Sequence, residues 1–141
     1  MEKMNKPYVL IEYFFASIEK VWQALTDQNI MRIWYFPQLV KFEAIPGFKF
    51  EFKEDNSIYM KEWRVTEVQP LKKLSHSWVY KGFPGVSEVI FELTHQDEGT
   101  QLKLTHTGLE SFLNDPHFAR ERFEQGWKTI LGTNLKNYLD N

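Results

Sequence analysis

Between residues 39 and 107 apolar side chains recur at every second position, and from residue 115 to residue 141 they recur at every third or fourth. That change of period predicts a run of strands closed over by one long amphipathic helix. An aromatic sheet with a single helix laid across it tends to leave a hollow between the two layers. The helix start is marked by Asp115, whose carboxylate can take the free backbone N–H groups, and by Pro116, whose missing donor costs nothing in the first turn. Phe123, Trp127, Ile130, Leu131 and Tyr138 then form one stripe, while Glu121, Arg122, Lys128 and Lys136 mostly occupy other faces. About 24 residues at 1.5 Å each make a rod of about 36 Å, long enough to cross a small sheet.

Upstream, the dense run over 8–15, interrupted by Glu12, reads as a first strand. Ser17 caps a short helix with Ile18, Val21, Trp22 and Leu25 on one face, and Asp27 starts a second that ends before Pro37. Strands follow at 48–52, where Phe48, Phe50 and Phe52 share a face, and then at 59–68, 72–80, 87–93 and 101–106. Short polar or glycine-containing links between them favour an antiparallel meander.

Net charge is −2 with no basic stripe, which argues against a nucleic-acid partner. The absence of Cys removes disulfides, thiolate nucleophiles and Cys-based metal sites. The four His lack metal-ligand spacing, so neither a metal nor a cofactor is expected. The segment 1–7 is short and polar and no apolar run is long enough to span a membrane, so a cytoplasmic domain covering 1–141 is expected. Aromatic residues make up 16% of the chain, and rings of that size either fill a core or line a pocket.

Several motifs, in order, resemble the SRPBCC (START-like, Bet v 1-like) superfamily, and within it the branch named for the activator of heat shock protein 90 ATPase. They are Val21-Trp22-Gln23-Ala24-Leu25-Thr26-Asp27, Trp34-Tyr35-Phe36-Pro37, Val65-Thr66-Glu67-Val68-Gln69-Pro70 before Ser77-Trp78, Thr105-His106-Thr107-Gly108, and Gly126-Trp127. The resemblance implies an α+β helix-grip fold: a curved antiparallel sheet of about six or seven strands wrapped around the C-terminal helix, with two short helices after the first strand. It also implies an apolar cavity between sheet and helix. Ile18 stands where the branch often has Pro, and the loop 53–59 lacks the usual Gly-rich turn.

The expected ligand contacts are Trp34, Phe50, Trp63, His76, Trp78, Tyr80, Phe91, His106 and Trp127, with His106 as polar anchor. His106 and Glu12 are weak candidates for acid–base chemistry. Glu12 would need a partner such as Arg64 or His106 if it pointed inward. Gly126 and Gly132 each cost their helix about 1 kcal/mol relative to Ala, a penalty suited to close packing against the sheet or to a ligand. The leading expectation is a binder of a hydrophobic or aromatic small molecule. A chaperone partner contacted through the surface, and a cyclase or aromatase type of enzyme, are the alternatives. The aromatic segment 34–37 is a candidate homodimer contact or cavity entrance.

Overall fold

The structure is a computed structural model and describes residues 6–112 and 114–140. Asn141, the expected end of the last helix, and most of the polar segment 1–7 lie outside the described residues.

Among the described residues seven strands divide between two sheets. Strand β1 (Tyr8–Phe14) leads to helices α1 (Ile18–Thr26) and α2 (Gln28–Trp34), then to β2 (Leu39–Lys41) and β3 (Glu51–Phe52). Next come β4 (Val65–Gln69), β5 (Lys73–Trp78), β6 (Ser87–Gln96) and β7 (Gly99–Thr107). The five-stranded sheet runs β1-β7-β6-β5-β4 and is antiparallel throughout, and β2 pairs with β3 in a separate two-stranded sheet. The helix-grip architecture is as expected.

The caps act as their chemistry predicts. Ser17 Oγ accepts the Lys20 N–H at 3.1 Å, and the Asp27 carboxylate accepts those of Asn29 and Ile30 at 2.8 and 3.4 Å. Two strands are shorter than the alternation suggests. Only Glu51–Phe52 and Val65–Gln69 are regular strand within 48–52 and 59–68. The remainder pairs through single bridges, Lys49 with Arg64 and Lys61 with Tyr80. Phe48 and Phe50 still exchange backbone hydrogen bonds with Val65 and Trp63 at 2.9 Å.

The last helix differs most from expectation. Asp115 does cap, accepting the His117 N–H at 2.8 Å, but it caps a single 3₁₀ turn, Pro116–Phe118. Ala119 is extended, and the α-helix proper, α3, spans Arg120–Thr129. A π-helical segment, Ile130–Leu135, then carries the chain into α4 (Lys136–Asp140). Phe123, Trp127, Leu131, Leu135 and Leu139 are buried, a stripe with a strict spacing of four, whereas the expected members Ile130 and Tyr138 are half-buried. Four α-helical residues overshoot a full turn by about 40°, so such a stripe would spiral off its face. A π segment holds more residues per turn and winds the stripe back toward the sheet.

Along β1, Tyr8, Leu10, Glu12 and Phe14 face inward, while Val9, Ile11 and Tyr13 are 46%, 54% and 37% exposed. Strand alternation had left the direction of Glu12 open. Its carboxylate reaches the π segment, with one oxygen 3.2 Å from where a Cβ on Gly132 would sit. A side chain there would press on the carboxylate, so close packing accounts for this glycine.

Candidate functional site

The face of the main sheet under α3 is almost solid with rings. Trp63 lies 4.1 Å from Trp78, Trp78 lies 5.6 Å from Trp127, and Phe91 meets Trp127 edge-on at 5.9 Å, all between ring centroids. Strand alternation on β5 and β7 places His76 and His106 among them, 1% and 0% exposed.

Both imidazoles are fixed as neutral tautomers by their neighbours. The Trp127 indole N–H can only donate, and it donates to His106 Nδ1 at 3.0 Å, so the His106 proton sits on Nε2. That N–H donates to Ser87 Oγ at 2.9 Å, and Ser87 in turn donates to the Trp78 carbonyl at 2.7 Å. His76 takes the opposite tautomer. Its Nδ1–H donates to the Ser77 carbonyl at 2.8 Å, and its Nε2 accepts the Tyr35 hydroxyl proton at 2.9 Å. A second proton on His106 would point at the Trp127 indole N–H, which cannot accept it, and one on His76 would have only the Tyr35 hydroxyl oxygen to meet. Burial therefore pushes the pKa of His76 down to about 4 and that of His106 down to about 3, the latter also lowered by His76 and Arg120.

A hollow of about 260 Å³ remains between β5, the 57–61 segment and α3. Its apolar walls are Phe36, Trp78, Tyr80, Phe123, Trp127 and Ile130. Tyr59 and His117 stack face to face at 3.5 Å between centroids on its border, and Lys61 and Arg122 supply its charges. Arg122, Gly126 and Ile130 fall on one i, i+4 row of the helix, so they face the hollow together. At Gly126 an added Cβ would meet nothing within 4 Å. The close packing against the sheet expected of Gly126 is thus absent, and its helix penalty borders empty space. Tyr80 Oη accepts the Trp78 indole N–H at 2.9 Å, which leaves the Tyr80 hydroxyl proton with no acceptor among the described residues.

Trp78, Tyr80 and Trp127, expected from the sequence, come together on this wall. The other expected contacts do not. Trp34 is held behind it by an indole N–H···O bond of 2.8 Å to Ala24 and by stacking on Tyr35. Trp63, His76, Phe91 and His106 are packed in the interior, and the indole N–H of Trp63 has no partner among the described residues. Phe50 borders a second hollow of about 890 Å³, outside β3, whose rim carries the exposed side chains of Lys49, Glu51, Lys53, Glu54 and Asp55. That groove is larger but rimmed by exposed charges of both signs, whereas the smaller hollow, though no more enclosed, has mostly buried aromatic walls, so the smaller one is the candidate site.

Neither partner imagined for Glu12 reaches it: the Arg64 guanidinium donates to the Gly47 carbonyl, and both nitrogens of His106 are engaged elsewhere. Of the 34–37 segment, Trp34 and Tyr35 are buried, Phe36 lines the hollow and Pro37 is exposed, so its rings border the cavity and the interior. Tyr59, Lys61, His117, Arg122, Phe123 and Ile130 are among the wall residues the sequence did not single out as contacts. The i, i+4 row through Gly126 was the available signal. Among the described residues no group of three His, Asp or Glu side chains could hold a metal ion, and no helix is long and apolar enough to cross a membrane.

The fold recurs in solved structures along nearly the full chain. A protein from Mesorhizobium loti is 27% identical, with a TM-score of 0.81 and 96% of this chain matched to 97% of that one. An HSP90 activator from Plasmodium falciparum is 19% identical with a TM-score of 0.74, the match covering 96% of both chains. DynU16, from the dynemicin biosynthetic locus, is 21% identical with a TM-score of 0.76, and the match takes 96% of this chain but 48% of that one. No curated protein matches the sequence. The family model of the Activator of Hsp90 ATPase homolog 1-like proteins matches residues 15–140, and with nearly all of its length inside that match the chain belongs to this family.

Proposed function

We propose that the protein binds a small hydrophobic or aromatic molecule in the hollow between β5 and α3. The observation that carries this reading is Gly126. A glycine inside a helix is disfavoured by about 1 kcal/mol against alanine. Here no protein atom needs the space, because a Cβ at this position would meet nothing within 4 Å. The walls around it are Trp78, Phe123 and Trp127, rings that would bury a flat ligand on several sides. A hollow of about 260 Å³ suits a body of one or two fused rings.

Native mass spectrometry of the protein purified from its own cells tests the proposal. A stoichiometric small-molecule adduct is expected on the natural protein and not on Gly126→Leu, whose side chain would occupy the space. An adduct retained by Gly126→Leu would remove this hollow as the site.

A second reading, contact with a chaperone ATPase, is favoured by the full-length match to the HSP90 activator from Plasmodium falciparum. It predicts that the purified chain raises the ATP turnover of an HSP90 in a coupled assay. Unchanged turnover would dismiss it. An enzyme that uses His106 as a base has less support, because its ring is neutral, enclosed and paired at both nitrogens.

A further inference from the structure

We infer that the ligand of this hollow is an amphiphilic anion: an aromatic or alkyl body against Trp78, Phe123 and Trp127, carrying one acidic group that Lys61 and Arg122 receive. The inference rests on the binding reading above and specifies its chemistry. The residues lining the hollow include these two cations and no carboxylate. Neither cation has a carboxylate within ion-pair distance among the described residues, where the ion pairs are Lys73 with Glu67 and Arg120 with Glu124. The chain as a whole carries a net charge of −2, so the positive character is local to this wall.

The surroundings of each cation point the same way. The Lys61 ammonium stands over the rings of Phe36 and Phe52, 5.2 and 5.4 Å from their centroids, and burial already pulls its pKa down. A neutral apolar ligand laid over it would strip more water from a half-buried charge and return nothing, whereas an acid group would compensate that charge. Arg122 lies one turn before Gly126, at the side of the empty space, and is close enough to Tyr59 and Tyr80 to pull both phenol pKa values down against the rise caused by burial. The unpaired hydroxyl proton of Tyr80 gives a third donor on the same wall, 7% exposed. Asp55 acts on Lys61 and Asp115 on Tyr59 and His117, but neither carboxylate lines the hollow. An aromatic cage would also suit a cationic ligand. Two cations in the wall exclude one.

Two dyes with one ring system separate the two levels of the argument. 8-Anilinonaphthalene-1-sulfonate is anionic, and N-phenyl-1-naphthylamine is its neutral counterpart. Fluorescence titrations of the natural protein should give the sulfonate a Kd at least tenfold lower. In the double variant Lys61→Met, Arg122→Met, which keeps the apolar stems, that advantage should shrink to within twofold while the neutral dye binds as before. Gly126→Leu should lose both dyes, with thermal melts checking that each variant is folded. Equal affinity of the natural protein for the two dyes, or an advantage that survives in the double variant, overturns the anion inference and leaves the apolar-ligand reading standing. Sulfonate binding that persists in Gly126→Leu places the dye elsewhere and also overturns the inference. Binding of neither dye overturns both.

Discussion

Two regions share the indoles of Trp78 and Trp127 and treat their titratable groups in opposite ways. On the interior side, both ring nitrogens of His76 and of His106 are paired at 2.8 to 3.0 Å. On the side of the hollow, the Tyr80 hydroxyl proton and the charges of Lys61 and Arg122 have no acceptor or carboxylate partner among the described residues. Buried groups with satisfied partners hold a fold together, while Lys61, half-buried, and Arg122, exposed, stay open to another partner. The histidines are thus tied into the fold, and on the proposed ligand reading recognition would fall to the residues that border empty space.

Acid should break this contrast most strongly. In the unfolded chain each histidine takes up a proton near pH 6.5, while in the fold burial holds His76 down to about 4 and His106 down to about 3. Between those values the unfolded state binds more protons, so stability falls as pH drops below 6.5, at up to about 1.4 kcal/mol per pH unit for each ring. Urea unfolding at pH 4.5 should show a loss of about 5 kcal/mol from these two groups relative to pH 7. Nitrogen NMR should find both rings still neutral in the folded protein at pH 5, with opposite tautomers. A positively charged ring at that pH would mean that the interior holds an acceptor for it.

Trp127→Ala comes next. It removes a buried indole and orphans His106 Nδ1, at an expected loss of about 3–5 kcal/mol in a chemical melt. A loss of ligand affinity with no change in melting would instead assign Trp127 wholly to the hollow. Ser87→Ala should be smaller, about 1–3 kcal/mol, because it leaves the His106 Nε2–H without its acceptor. Smallest and opposite in sign is Gly126→Ala, expected to raise stability by about 1 kcal/mol since its methyl enters open space on a helix. Destabilisation by that change would show that the space is already filled by protein.

Much of this was legible in the residues. Ser17 and Asp27 cap where their side chains predict, and the alternation through Val89, Phe91 and Leu93 and through Leu102, Leu104 and His106 gives the β6–β7 face correctly. Periodicity failed where backbone bonding changes without changing residue type. A stripe at Phe123, Trp127, Leu131, Leu135 and Leu139 fits an α-helix loosely, and nothing in it announces the turn of i→i+5 bonding that straightens it. Phe48 and Phe50 alternate like strand residues but only flank a single bridge, Lys49 with Arg64, and lie outside regular strand. At the site, Trp78 and Trp63 have the same chemistry and both belong to the aromatic set, yet one borders the hollow and the other is enclosed. Alternation gives the face of a sheet and not the depth at which a ring stops. Lys61 and Arg122 look like ordinary solvated charges in one dimension, and only the closing of α3 over the 57–61 segment puts them on one wall.

The indoles of Trp78 and Trp127 have one further consequence. Both N–H groups are already given to Tyr80 and His106, so an incoming molecule would meet these two indoles as ring faces, with donors from Tyr80, Lys61 and Arg122 beside them. A surface of that kind separates close relatives of a ligand weakly, by about 1–3 kcal/mol per methylene, where a hydrogen-bonding site can reject a mismatched group by factors of about 10⁴. Selectivity among bodies of similar outline would then be loose, and a handful of substitutions along the Arg122, Gly126 and Ile130 row would retune the site to a new guest without disturbing the histidines beneath.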